Sequence, residues 1–382
     1  MTARERLLRP TLGSVATENR ALLFALVALV VSAGAGIVVF AGEPVALFGG
    51  RSVGVTAAVA AGACGAVAFS TGYLRSPSTP PAGRWRRAFD AVVLTVSAAG
   101  IVVLLTGSVF AVFDLAFREL RLDVLMAAVL VGLSAGVSAY VLTLVSLEVT
   151  SVAIANLLAL LLVSGALASM LSANDPYWWH LNFSALGVGG GFSAYAFNIT
   201  LVFSGLVMTT LTHYVISDLR AWAMIREHRR LEVLRAWLVV LGVLLVALGV
   251  VTVGYAEAVH TAIASTMTVL FAGLIVATPY LVPRLPRSFV VTCTVFVGTF
   301  AVVVLLMWPV GYFNVTAVEF LGFSLLLAWL FMFVRTVAAC LRDERADART
   351  LADDPVAGRV PSGARPDHRP EVSAAARPRP GR

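Results

Sequence analysis

VLMAAVLVGLSAGVSAYVLTLVSLEVTSVAIANLLALLLVSGALASML, residues 124–171, is the stretch whose reading decides the fold. It is an almost unbroken apolar block. A bilayer core takes about 20 apolar residues per helix, so the block is too long for one crossing and about right for two. Glu148, flanked by Ser146, Thr150 and Ser151, is the only place for a turn. Read as two helices, the block brings the chain to ten spans. Read as one, it leaves nine and inverts everything that follows.

The surrounding chain has the same character. Hydrophobic residues make up 59% of the 382 and charged residues 13%, against roughly 25% charged in soluble domains. Besides 124–147 and 151–171, runs of spanning length cover 21–40, 53–73, 89–113, 194–216, 236–255, 262–281, 289–308 and 317–338. They predict helices, because each is too long and too uniformly apolar for the alternating strands of a barrel.

Arginine placement tests the count. Positive charge collects in cytoplasmic loops, and all 28 basic residues are arginine. Arg4, Arg6, Arg9 and Arg20 precede the first run; Arg75, Arg84, Arg86 and Arg87 lie in the second connection; Arg220, Arg226, Arg229, Arg230 and Arg235 lie about the sixth; Arg284 and Arg287 lie in the eighth. The alternate connections hold only Arg51, Arg118 and Arg121. Ten spans with both termini cytoplasmic fit this pattern, whereas nine would split the basic loops between the two sides. The +7 net charge then reports topology and attraction to anionic headgroups. No basic face interleaved with aromatics points to nucleic acid.

Cys64, Cys293 and Cys340 are scattered, with no CxxC and no metal spacing, so neither a disulfide framework nor a metal centre is expected. The first run is too long for a signal-peptide core and is expected to remain as a helix. Residues 341–382 carry six prolines from Pro355 to Pro380 and almost no large apolar side chain, the composition of a disordered cytoplasmic tail. The expected organisation is a cytoplasmic N-terminus (1–20), a four-helix region (21–147), a six-helix domain (150–340) and the tail (341–382). Between the last two basic clusters, SDLRAWAMIREHRRLEVLRAW (217–237) has the pattern of an amphipathic helix lying in the inner interface, with Arg226, Arg229 and Arg230 on lipid headgroups.

One connection is unusually polar: SANDPYWWHLNFSALGVGGGF, residues 172–192. Asn174-Asp175-Pro176 is turn chemistry, Tyr177, Trp178 and Trp179 suit interfacial anchors, and the glycines permit close re-entry. No strand precedes them, so they are not a nucleotide-binding loop. A plain connector accounts for those residues. Asp175, His180 and Ser184 exceed what it needs, and Glu257, His260 and Glu319 fall at the same expected depth on the outer side. Ionisable groups at a bilayer edge are costly unless paired, which makes the six a candidate outer-face polar cluster. Its chemistry is not obvious. A zinc hydrolase needs three close ligands and a base, a di-iron site two Glu-x-x-His motifs, and G-x-S-x-G is absent near a His/Asp partner. A hydrogen-bonded network tying the outer loops together is the simpler role.

The segment FSALGVGGGFSAYAFNITLVFSGLVM resembles an uncharacterised family of six-helix prokaryotic membrane proteins, domain of unknown function 998. That family has a Ser-x-Leu-Gly loop leading into a helix with a Phe-Asn pair and a Ser-Gly step, here Ser184, Leu186, Gly187, Phe197, Asn198, Ser204 and Gly205. His260 in VHTAIAS and Glu319 in VEFLGF are similar to a later helix-opening His and a Glu before the last helix. Where the family has an acidic–basic pair, this chain has Val318-Glu319-Phe320. The resemblance covers about 150–340, is more distantly DRAM-like, and implies a six-helix bundle without supplying an activity.

The sequence therefore predicts an all-α, polytopic bundle of about ten transmembrane helices in the plasma membrane, both termini inside, with no cofactor and membrane lipids as partners. The leading reading is non-enzymatic handling of a lipid or small solute at the extracytoplasmic face. A secondary transporter is the first alternative, although little mid-span charge argues against steep ion coupling. A membrane-embedded enzyme using the outer Asp/His/Glu cluster is the second.

Overall fold

The computed structural model describes residues 15–76, 80, 82–223 and 228–353. Within them are ten helices long and apolar enough to cross a membrane, as a multipass membrane protein requires. In chain order they are α1 (Val15–Phe40), α2 (Val53–Arg75), α3 (Arg84–Ala116), α4 (Val124–Leu147), α5 (Ser151–Leu171), α6 (Phe192–Ala223), α7 (His228–Val250), α8 (Val253–Leu281), α9 (Arg287–Met307) and α10 (Val315–Asp353). By contacts the chain divides after Leu341, and the described part of the second unit is the helical stretch 342–353.

The 124–171 block resolves into two helices. α4 ends at Leu147, Glu148 leaves helical geometry with φ −123° and ψ 66°, and the Thr150 hydroxyl accepts from the Ala153 amide to start α5. Side-chain caps of this kind satisfy amides that the first helical turn leaves unpaired. Ser52 caps α2 in the same way, and Asp123 caps α4 by accepting from Leu125 and Met126. Two short strands, β1 (Val45–Ala46) and β2 (Arg121–Leu122), pair antiparallel. They join the α1–α2 and α3–α4 connections at one end of the bundle.

Two expectations change. The 217–237 stretch is not one interfacial helix: residues up to Ala223 extend α6, and α7 begins at His228. The arginines of that stretch belong to two helix ends, where Glu232 accepts from Arg220 at 2.6 Å and from Arg235 at 3.4 Å. Arg229 and Arg230 are exposed on the first turn of α7, while Arg226 lies outside the described residues. The segment expected to be unstructured from residue 341 instead continues α10 to Asp353, because RDERADARTLAD is composed mainly of strong helix formers. The expectation for 354–382 lies outside the described residues.

Packing in the first four helices rests on small residues. α4 lies against α1 and α2, and a Cβ added at Gly132 would come 2.7 Å from the Leu29 carbonyl oxygen and 2.9 Å from Ala33 Cβ. Close backbone approach of this kind is how helices associate where lipid offers no hydrophobic drive. The outward faces are apolar, with Val38 76% and Val269 71% exposed, which suits lipid better than water.

Candidate functional site

The site is built around the connection between α5 and α6. Asp175 Oδ1 accepts from the Tyr177 amide at 2.8 Å, forming the turn that its side chain favours. Two 3₁₀ turns follow, Trp178–His180 and Phe183–Gly187. The second is pinned to α6 by Asn198, whose Nδ2 donates to the Gly187 carbonyl at 2.9 Å. Gly187 is required there, since a Cβ would lie 2.5 Å from Asn198 Oδ1. Asn314 holds the first turn from the other side: its Nδ2 donates to the Trp179 carbonyl at 3.1 Å, while its Oδ1 caps α10 through the Ala317 amide.

These ties bring three residues of the six-residue candidate cluster together. The Phe183 amide, next to Ser184, donates to Glu319 Oε2 at 2.5 Å. Ser184 Oγ lies 3.0 Å from His260 Nε2, and His260 Nδ1 lies 2.5 Å from the Val251 carbonyl oxygen. His260 is buried at 5% exposure, just beyond a break in α8 at Ala256, where φ is −152° and ψ 76°. That break separates the first residues of α8 from the turn carrying His260.

The other three members stay apart. Asp175 serves its own turn and is exposed; His180 is exposed and packs its ring edge-on against Tyr177 and Trp179, at centroid distances of 5.8 and 3.9 Å; Glu257 is exposed just after the break. Of the three aromatics, Tyr177 and Trp179 are exposed at the bundle end, where anchors belong. Trp178 turns inward, edge-on to Phe183 at 5.8 Å. Among the described residues no group of three His, Cys, Asp or Glu side chains is placed to hold a metal.

Beneath Ser184 and Glu319 lies a cavity of about 260 Å³ between α5, α6, α7, α8, α9 and α10. Its wall is almost wholly apolar, with Phe197, Phe271, Phe296, Phe300 and Phe323 prominent, and Ser184 and Glu319 supply polar groups at one end. A second cavity of about 60 Å³ shares Leu162, Leu245, Met267, Phe271, Phe323 and Leu326 with the first and reaches Trp329. Trp329 is fully buried, stacked on Phe333 at 5.2 Å, with its Nε1 donating to Cys293 Sγ at 3.4 Å. Together the two reach the roughly 300 Å³ at which small-molecule sites begin.

A second polar group was not anticipated from the sequence. Asp90, 2% exposed, pairs with Arg86 Nε at 3.1 Å and accepts from Thr210 Oγ1 on α6 at 2.9 Å. Arg86 also donates to the Thr209 carbonyl at 2.8 Å. Nearby, the hydroxyls of Tyr73 and Tyr214 lie 3.2 Å apart. The signal was present: Asp90 is a lone acid at the head of an apolar run, four residues after an arginine, the spacing of a helical ion pair. The group joins α3 of the first four helices to α6 of the last six.

Compared with protein families, curated proteins and solved structures, the chain matches none.

Proposed function

We propose that the six helices α5–α10 hold a single lipid chain, with its polar end at Ser184 and Glu319 and its tail directed toward Trp329. The protein then acts in the plasma membrane, both termini inside, and the α5–α6 connection is extracytoplasmic. In this reading α5–α10 are the counterpart of the domain of unknown function 998 bundle, and exposed Arg229 and Arg230 meet inner-leaflet headgroups.

One observation carries the reading: the cavity is apolar along its length and polar at one end. From Glu319 to Leu330 its wall follows about 16 Å of α10. That matches one leaflet of an apolar core about 30 Å thick. Water has few partners on such a wall, whereas an acyl chain loses nothing on leaving the bilayer interior for it. A headgroup or ester at the Ser184 end would find a hydroxyl and a carboxyl group.

Native mass spectrometry of the delipidated full-length protein, titrated with a long-chain phospholipid, is the direct test. The expected outcome is one retained adduct per chain, lost when Ala272→Phe fills the cavity wall. An unchanged adduct in that variant overturns the assignment.

A further inference from the structure

Chain binding alone makes no use of His260. A backbone carbonyl only accepts hydrogen bonds, so the Val251 oxygen at 2.5 Å requires a hydrogen on Nδ1. In the neutral ring Nε2 then carries the lone pair, and the Ser184 hydroxyl 3.0 Å away donates to it. The order is that of an activated nucleophile: a hydroxyl, a base within hydrogen-bond reach, and a third group that fixes the base. Here the third group is a main-chain carbonyl. Ser184 lines the cavity, and His260 sits behind it, buried and shielded.

A structural tie between the connection and α8 is the plainer explanation, but that connection is already fastened by Asn198, Asn314 and Glu319. Burying an imidazole also costs free energy unless both nitrogens are satisfied. Both are, in the one tautomer that leaves Nε2 able to take a proton from the hydroxyl facing the chain slot.

We propose that Ser184 is the nucleophile and His260 the general base of ester hydrolysis on a long-chain carboxylic ester whose acyl chain occupies the cavity. This rests on the chain-binding reading above. Ser184 Oγ bonds to the ester carbonyl carbon while its proton passes to His260 Nε2. The ester C–O bond breaks, and the departing alcohol takes that proton from Nε2, leaving the acyl group on Ser184. Water, the second substrate, attacks the same carbon and gives a proton to Nε2. The Ser184–acyl bond breaks, Oγ regains the proton, and a carboxylic acid leaves. No electron is gained or lost overall.

The test uses the full-length protein in detergent micelles and an alkyl fluorophosphonate with a long chain, with the modified residue located by peptide mass spectrometry. Phosphonylation at Ser184 is expected. His260→Gln should slow labelling at least 100-fold, the lower bound for a lost general base, while thermal melting stays near that of the parent. A methyl fluorophosphonate should label Ser184 at least ten times more slowly than the long-chain probe. Ser184→Ala should hydrolyse no long-chain p-nitrophenyl ester while still retaining the lipid adduct. Absence of label on Ser184 in wild type that keeps its adduct overturns the hydrolase and spares chain binding. Labelling indifferent to chain length, in protein that retains no lipid, overturns the placement of the acyl chain and chain binding with it. Equal labelling of His260→Gln and wild type removes the base.

Discussion

The first four helices and the last three solve the same packing problem in opposite ways. α1, α2 and α4 bring backbones together over alanine and glycine, so that even a methyl group at Gly132 has no room. α8, α9 and α10 keep their backbones apart and meet through large side chains such as Phe271, Phe289 and Trp329. Backbone-to-backbone contact leaves no space, whereas packing through branched and aromatic side chains leaves gaps wherever their shapes fail to mesh. The chain concentrates its void volume in the half that also carries the Ser184–His260 pair. A binding function asks for that division: one part rigid, the other hollow.

The largest test of this contrast is Gly132→Leu. It drives a side chain into the α1 backbone and should cost on the order of 3 kcal/mol, read as a large fall in melting temperature or loss of monodisperse protein in detergent. Melting within a degree of the parent would show that α1 and α4 are not zipped. Asp90→Ala acts at the joint between the halves. Breaking a buried ion pair costs about 3–5 kcal/mol, but the Arg86 side chain is 35% exposed, so a loss nearer 2 kcal/mol is expected. Ala272→Phe, in the hollow half, should shift stability by less than about 1 kcal/mol, because the added ring enters existing space rather than a packed core. A drop as large as that for Gly132→Leu would mean the cavity is filled in the native protein. The smallest effect belongs to Tyr73→Phe, which removes one hydroxyl–hydroxyl bond and should cost about 1 kcal/mol by chemical denaturation.

Much of the architecture was legible because it depends on run length and termination, both written locally. Thr150 and Glu148 show this: a cap hydroxyl and a charged residue were enough to divide an apolar block that hydropathy alone would merge. The 217–237 stretch shows the opposite. Two helix ends rich in arginine and leucine give the same periodic pattern as one amphipathic helix, and pattern does not record a reversal of chain direction. The continuation of α10 to Asp353 was hidden because the stretch was judged by its lack of apolar side chains, while Ala, Arg, Asp and Glu sustain a helix without any core.

The candidate site was legible as a set of residue types but not as a geometry. Ser184, His260 and Glu319 were picked out together with Asp175, His180 and Glu257 on expected depth alone. What separates the two groups is the direction each side chain takes. The break at Ala256 leaves Glu257 on the surface and His260 in the interior, although they are three residues apart. The cavity itself has no signature in the sequence, since it is made by residues from six helices failing to touch.

The Asp90 knot also bears on how the chain is made. Thr210 follows Asp90 by 120 residues, so at synthesis rates of about 5–20 residues per second roughly 6–24 s separate the two. Through that interval the carboxylate of α3 has only Arg86, one turn back on its own helix, for company. The i,i+4 pair thus serves as a temporary partner during biogenesis, holding the acid until α6 arrives to complete its coordination.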